Sequence, residues 1–155
     1  MHEPVLDIFA LRVATLGGIG RVGMAPGTLG TLATLPLCWM VMRSGMAWHL
    51  LVLAVVVVIG TWAAHRSARL LDNKDPKEVV VDEMAGMLLT MVGTSEGWFG
   101  LLVGFLAFRL FDIWKPWPVS WLDRSVPGGW GIMADDLAAG IYAGLVVTIV
   151  TFWTE

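Results

Sequence analysis

The hydrophobic positions of this chain fall into five runs, and most charged positions lie between them. Residues 46–64 contain only two polar side chains, His49 and Thr61, and match the roughly 20 apolar residues that a membrane-spanning helix needs. A second long run covers residues 137–153. Three shorter runs lie at 29–42, 79–92 and 98–111.

This pattern predicts an all-α fold, a polytopic membrane helical bundle with about four to five apolar helical segments. The runs at 79–92 and 98–111 form either two crossings or one short hairpin. The length suits a single domain, 1–155. The remaining expectations are a short helix at 4–16, a glycine-rich stretch at 17–31, a turn at 93–97 and a Pro- and Trp-rich loop at 112–136.

Composition strengthens the membrane interpretation. Apolar residues make up 57% of the chain and charged residues 15%, against about 45–50% and about 25% in soluble domains. The net charge of −3 does not indicate nucleic-acid binding, which is typical of basic domains. One cysteine, Cys38, excludes an intrachain disulfide, and the N-terminus lacks the basic region of a cleavable secretory signal.

The basic residues predict the orientation of the bundle. If all five runs cross and the N-terminus is cytoplasmic, nine of the ten Lys and Arg residues lie on the cytoplasmic side, and only Arg43 lies outside. This bias follows the positive-inside rule. Eleven of the 13 acids fall on the same side, all but Glu96 and Glu155. We therefore expect an acidic site at the cytoplasmic membrane edge.

Five carboxylates border the apolar runs at that edge. Acids at a helix N-terminus gain about 0.3–1 kcal/mol from the helix dipole, but this does not explain Asp112, at a C-terminal end. Clustered carboxylates repel one another, and a divalent cation removes the repulsion. Oxygen ligands without a Cys or His pattern favour Mg²⁺ over zinc. The candidate metal ligands are Asp82, Glu83, Asp112, Asp135 and Asp136.

Cations near these acids suggest a phosphate. Arg109 and Lys115 flank Asp112 at helical spacing, which fits either a local ion-pair ladder or a phosphate clamp. Lys74 lies in a charged loop, and such a loop taken alone is typical of a solvent-exposed segment. The glycine-rich stretch offers Arg21, and Thr28 as a helix N-cap. Together these residues predict a membrane enzyme that uses Mg²⁺ on a phosphorylated substrate.

Four blocks, "GRVGMAPGTLGTL", "NKDPKEVVVDEMAGM", "FRLFDIWKPWPVSWLD" and "GGWGIMADDLAAGIYAG", resemble the bacterial phosphatidylglycerophosphatase A family and occur in its order. The resemblance implies a Mg²⁺-dependent, multi-pass inner-membrane hydrolase with its active site facing the cytoplasm. Its phospholipid substrate would be phosphatidylglycerophosphate, converted to phosphatidylglycerol and inorganic phosphate on the way to cardiolipin.

The residues expected to act divide into two groups beside the metal ligands. Catalysis is assigned to Asp82, Asp112, Asp135, Asp136 and Lys115, and phosphate binding to Arg21, Thr28, Lys74, Arg109 and Lys115. Attack by water and a covalent aspartyl phosphate both remain open. The alternatives are a phospholipid-headgroup transferase, an ion transporter and a purely structural membrane protein. The sequence leaves the oligomeric state and the number of metal ions open.

Overall fold

In the computed structural model, which describes residues 3–94 and 97–154, every regular element is a helix. The predicted all-α class is therefore confirmed for this part of the chain. The predicted turn at 93–97 and two acids placed by the orientation rule, Glu96 and Glu155, lie partly or wholly outside it. The helices are α1 (Pro4–Ala14), a 3₁₀ segment (Leu16–Arg21), α2 (Pro26–Arg43), α3 (Met46–Leu70), α4 (Val81–Thr90), α5 (Trp98–Trp114), α6 (Val119–Ser125) and α7 (Gly128–Thr154).

Two of the described helices, α3 and α7, are long and apolar enough to cross a membrane. At 1.5 Å per residue they are about 37 Å and about 40 Å long, against a hydrocarbon core of about 30 Å. This is fewer than the four to five apolar segments predicted. All five runs are helical, but α4 has 10 residues and α5 has 17.

Helix α4, the shortest of the five helices that form from the apolar runs, lies at the centre of the bundle. It packs against α2, α3, α5 and α7, and most of its residues are buried. Its start is fixed by the amide of Val80, which donates a hydrogen bond of 2.8 Å to the carbonyl of Ala14. The apolar character of "VVVDEMAGM" therefore reflects burial within the protein.

Close backbone contact holds α4 against α7. A Cβ atom on Gly140 would lie 2.5 Å from the carbonyl oxygen of Gly86, and one on Gly144 would lie 3.2 Å from that of Thr90. Small residues four apart permit such an approach. The spacing of Gly140 and Gly144 therefore serves packing within the chain.

The outer faces of the bundle are apolar. Exposed residues recur every three or four positions along α5, the spacing of one helix face. Exposed tryptophans lie near both ends of the bundle: Trp48, Trp98 and Trp153 at one end, and Trp114, Trp117, Trp121 and Trp130 at the other. Contiguous apolar surface of this kind marks a contact with membrane or protein.

Three predicted boundaries are wrong. Thr28 is not an N-cap, because α2 begins at Pro26, whose fixed φ suits the first helical position, and Ala25 precedes it at φ 54°. Residues 112–136 are not one loop, since they contain α6 and the first turns of α7. Asp135 and Asp136 consequently lie inside α7 rather than at its start.

Candidate active site

Five acidic side chains from three helices line one cavity of about 260 Å³. Asp82 and Glu83 come from the first turn of α4, and Asp112 comes from the last turn of α5. Asp135 and Asp136 follow from α7 and are each only 4% exposed. The structure thus gathers all five carboxylates that the sequence singled out as candidate ligands.

Three of these residues, Asp82, Glu83 and Asp136, form a tighter group, which we call the carboxylate triad. One oxygen from each lies within 4.8 Å of the other two. Asp82 Oδ1, Glu83 Oε2 and Asp136 Oδ2 are buried and have no hydrogen-bond partner in the described part of the chain. Unpaired buried carboxylate oxygens are costly, and a hard divalent cation matches such an all-oxygen set. The residues present therefore fit a metal ion.

Arg109 closes one side of the triad. Its Nη1 lies 2.5 Å from Asp112 Oδ2 and 3.8 Å from Glu83 Oε1, and its Nε is buried without a partner. The spacing of Arg109 and Asp112 fitted either a local ion pair or a phosphate clamp, and the ion pair is formed. One guanidinium donor nevertheless remains unused next to the acids.

Lys115 leaves the helix line that its spacing predicted. It follows the last residue of α5 with φ 48°, in the left-handed region, so its ammonium turns toward α7. There Nζ donates to Asp135 Oδ2 at 2.7 Å and to Asp123 Oδ1 at 3.0 Å. Burial opposes the charged form, but these two carboxylates outweigh it and raise the pKa of Lys115. Lys115 therefore stays cationic beside the cavity.

The start of α2 also lines the cavity, through Ala25, Pro26 and Gly27. A Cβ atom on Gly27 would collide with Glu83 Oε1 and lie 3.0 Å from Arg109 Nη1. Glycine is therefore required here by close approach. No side chain caps this helix, so its first amides can meet an anion in the cavity.

Comparison with known proteins identifies the family. The family model for phosphatidylglycerophosphatase A matches residues 12–151. The chain belongs to the phosphatidylglycerophosphatase A family. The resemblance carried by the four sequence blocks is thereby confirmed.

Two bacterial relatives carry that family name. The phosphatidylglycerophosphatase A of Escherichia coli is 39% identical over 140 residues, which cover 88% of this chain and 80% of the relative. That of Haemophilus influenzae is 33% identical over 138 residues, or 88% and 85%. A Bacteroides thetaiotaomicron protein provisionally named phosphatidylinositol-3-phosphatase is 31% identical over 145 residues, or 88% and 90%. No solved structure matches.

Three residues expected to bind phosphate in this family member lie away from the cavity lining. Arg21 is exposed on the 3₁₀ segment, and Thr28 lies within α2 beyond the cavity wall. Lys74 donates to the backbone oxygens of Asp123, at 3.0 Å, and Arg124, at 3.5 Å. Its side chain therefore ties the loop after α3 to α6.

Other residues take positions that the sequence prediction missed. Asp75 and Lys77 line the cavity, and Asp123 holds Lys115. Asp75 and Lys77 lie in the charged loop "DNKDPKE". The sequence therefore predicts the correct loop, but the lysine assigned to phosphate binding is Lys74 of that loop instead of Lys77. Asp123 is eight residues from Lys115 and gave no local signal.

Proposed function

We propose that this chain is a membrane lipid phosphatase that hydrolyses phosphatidylglycerophosphate to phosphatidylglycerol and inorganic phosphate, a step toward cardiolipin. Family membership supports the reaction. The observation that carries the proposal is the set of three buried, unpartnered carboxylate oxygens in a cavity that Arg109 and Lys115 also line. Acids that gather an ion, beside cations that attract a phosphate, suit phosphomonoester hydrolysis.

The triad would hold Mg²⁺. Carboxylate oxygens are the ligands that this ion prefers, and few protein ligands suffice, because Mg²⁺ keeps several waters and binds substrate phosphate. When bound, such an ion supplies Lewis-acid polarisation of a phosphoryl oxygen. The triad lies level with Gly60 of α3, since a Cβ atom there would contact Val81, the neighbour of Asp82.

The cations of the chain would bind and orient the phosphate. Arg109 offers a guanidinium already fixed by Asp112, and Lys115 offers an ammonium fixed by Asp135 and Asp123. Such preorganised cations stabilise negative charge in a phosphoryl-transfer transition state.

Hydrolysis forms a bond from a water oxygen to phosphorus and breaks the bond from phosphorus to the glycerol oxygen. The cavity carboxylates outside the triad, Asp75, Asp112 and Asp135, are the groups that would accept the proton of that water, and the protonated carboxyl would then return it to the departing glycerol oxygen.

We further propose a multi-pass location in the bacterial inner membrane, with the cavity facing the cytoplasm. The apolar part of α3 ends at residue 64, four residues or about 6 Å beyond Gly60. The cavity would therefore sit about one helical turn below the lipid surface. Along α5 and α7 the two groups of tryptophans are about 24 Å and about 35 Å apart, which brackets a hydrocarbon core of about 30 Å.

Phosphate release tests the reaction. Purified protein in detergent receives phosphatidylglycerophosphate with Mg²⁺ or with EDTA, and we expect release only with Mg²⁺. Glu83→Gln should lower the rate of phosphate release by more than the roughly 10–100-fold that is typical when a residue hydrogen-bonded to a metal ligand is removed. Glu3→Gln, the same change at an exposed position outside the cavity, should retain activity. Absence of phosphate release with Mg²⁺ would contradict the proposed phosphatase reaction and would favour a transferase or a transporter instead.

Cysteine labelling tests the orientation. Cys38 is buried, so a single cysteine can be introduced without background from an exposed thiol. An impermeant maleimide added to intact spheroplasts should label Ser44→Cys, between α2 and α3. The same reagent should label Asn73→Cys, between α3 and α4, only after lysis. The reverse pattern would contradict the cytoplasmic active site.

A further inference from the structure

A second and larger cavity, of about 690 Å³, lies between α1, α3 and the start of α7. Its lining shares no residue with that of the acidic cavity. A further cavity of about 300 Å³, lined in part by Asp72, Asn73 and Lys74, adjoins it through His65 and Arg69, which line both. We call the combined surface the arginine cleft, defined by Val58, Trp62, His65, Arg66, Arg69 and Trp130.

Polarity changes along this cleft in the way that it changes across a lipid surface. Val58, Trp62, Arg66 and Arg69 are spaced four, four and three residues apart, so they share one face of α3. The apolar run of α3 ends between Trp62 and Arg66. The cleft therefore offers apolar surface on the membrane side and two guanidinium groups beyond it.

Its cationic end is only partly neutralised. Arg66 Nε pairs with Asp7 Oδ1 at 2.6 Å. The side chain of Arg69 is exposed and makes no hydrogen bond or ion pair within residues 3–94 and 97–154. Lys74, which lines the adjoining cavity, donates to backbone oxygens of Asp123 and Arg124 on α6, and these neutral acceptors leave its charge in place. Against these cations the lining holds two acids, Asp7 and Asp72.

We propose that the arginine cleft binds an intact anionic phospholipid of the surrounding bilayer. Its phosphate lies at Arg66 and Arg69, and one acyl chain runs along Val58 and Trp62. Guanidinium groups form strong, charge-assisted hydrogen bonds to phosphate. Among the described residues, the acids that line the cleft and its adjoining cavity are Asp7 and Asp72 rather than a triad, so we expect the lipid to be bound without hydrolysis. This inference rests on the membrane location proposed above and is independent of the phosphatase reaction.

Tryptophan quenching tests the proposal. The protein is placed in phosphatidylcholine nanodiscs containing increasing fractions of phosphatidylglycerol, with bromine on the acyl chains of one lipid or the other. We expect saturable extra quenching from brominated phosphatidylglycerol. Trp62→Phe should remove much of it, while Trp48→Phe, at the other end of α3, should leave it in place.

Matched arginine variants separate the cleft from general surface charge. Arg69→Gln should raise the phosphatidylglycerol fraction for half-maximal extra quenching about tenfold, since one charge-assisted hydrogen bond contributes a factor of that order. Arg124→Gln removes the same charge from α6, where the guanidinium bonds Ser120 of its own helix. That variant should bind like the unmodified protein.

Three outcomes would overturn the proposal. Equal quenching by both brominated lipids would mean that the cleft does not select anionic lipid. Equal shifts in the two arginine variants would mean diffuse attraction to the surface. Extra quenching that depends on the number of protein copies per nanodisc would assign the cleft to a second copy of the chain. Asp82→Asn, expected to be inactive, should keep the lipid signal, so failure of the phosphatase and failure of the cleft are distinguishable.

Discussion

Gly140→Ala should disturb the proposed metal site by separating two helices. The new Cβ atom would lie 2.5 Å from the carbonyl oxygen of Gly86, a distance that must grow to about 3.4 Å for ordinary contact. The separation moves Asp136 on α7 away from Asp82 and Glu83 on α4. Because Mg²⁺ demands ligand distances of about 2.0–2.1 Å, the triad could no longer coordinate one ion with all three residues.

The expected effect of Gly140→Ala on stability is smaller than its expected effect on metal affinity. Overpacking costs about 1–3 kcal/mol, while alanine gains about 1 kcal/mol over glycine in a helix, so the net loss of stability should be small. The Mg²⁺ concentration for half-maximal phosphate release should rise about 10–100-fold, as it does when groups that position metal ligands are removed.

The assay is a Mg²⁺ titration of phosphate release, together with thermal unfolding in the same detergent. Gly144→Ala is the matched control, because its Cβ atom would lie 3.2 Å from the oxygen of Thr90 and needs a shift of only a few tenths of an ångström. A folded Gly140→Ala protein with an unchanged Mg²⁺ requirement would refute the link between this helix contact and the triad.

Substitutions at three further positions probe other contacts. Lys115→Met leaves Asp135 buried without its cation, so phosphate release at saturating Mg²⁺ should fall at least about tenfold, whereas Lys115→Arg should recover part of it. His49→Leu removes the bond of 2.9 Å from the imidazole to the carbonyl of Leu88; thermal unfolding should show a loss of about 1–3 kcal/mol, with the Mg²⁺ requirement unchanged. Gly27→Ala places a methyl group against the triad glutamate, so the Mg²⁺ requirement should rise while the apparent unfolding temperature changes little.

The sequence predicted which acids would gather because each one interrupts or borders an apolar run. An ionisable residue in such a position is costly unless it serves a site. Alternating helix directions then bring the start of α4, the end of α5 and the early turns of α7 to the same end. The gathering of Asp82, Asp112 and Asp136 therefore followed from helix polarity.

The sequence could not predict that α4 is a buried helix. An apolar run of 14 residues fits both a core helix and part of a membrane span, and periodicity alone does not separate them. The early start of α7 was missed because Gly128, Gly129 and Gly131 are weak helix formers. These glycines serve tertiary packing instead, since Gly129 lets α7 approach the backbone of Thr61 on α3.

The partners of Lys115 were beyond prediction, whereas the partner of Arg109 was not. Arg109 and Asp112 are one helical turn apart, so their pairing was visible in the spacing. Lys115 instead depends on a left-handed backbone at the end of α5, which turns it toward Asp135 of α7 and Asp123 of α6. Such a turn by a non-glycine residue depends on the surrounding packing.

The shortness and burial of α4 have a consequence for synthesis of the protein. A helix of 10 residues cannot cross a bilayer alone, and in lipid its two carboxylates would face hydrocarbon rather than protein. Its neighbours α5 and α7 are translated after it, and α7 completes its enclosure. In the proposed membrane location, we therefore expect α4 to stay outside the hydrocarbon core until α7 emerges from the ribosome. A chain truncated before α7 would leave the acids of α4 without the enclosure that α7 supplies.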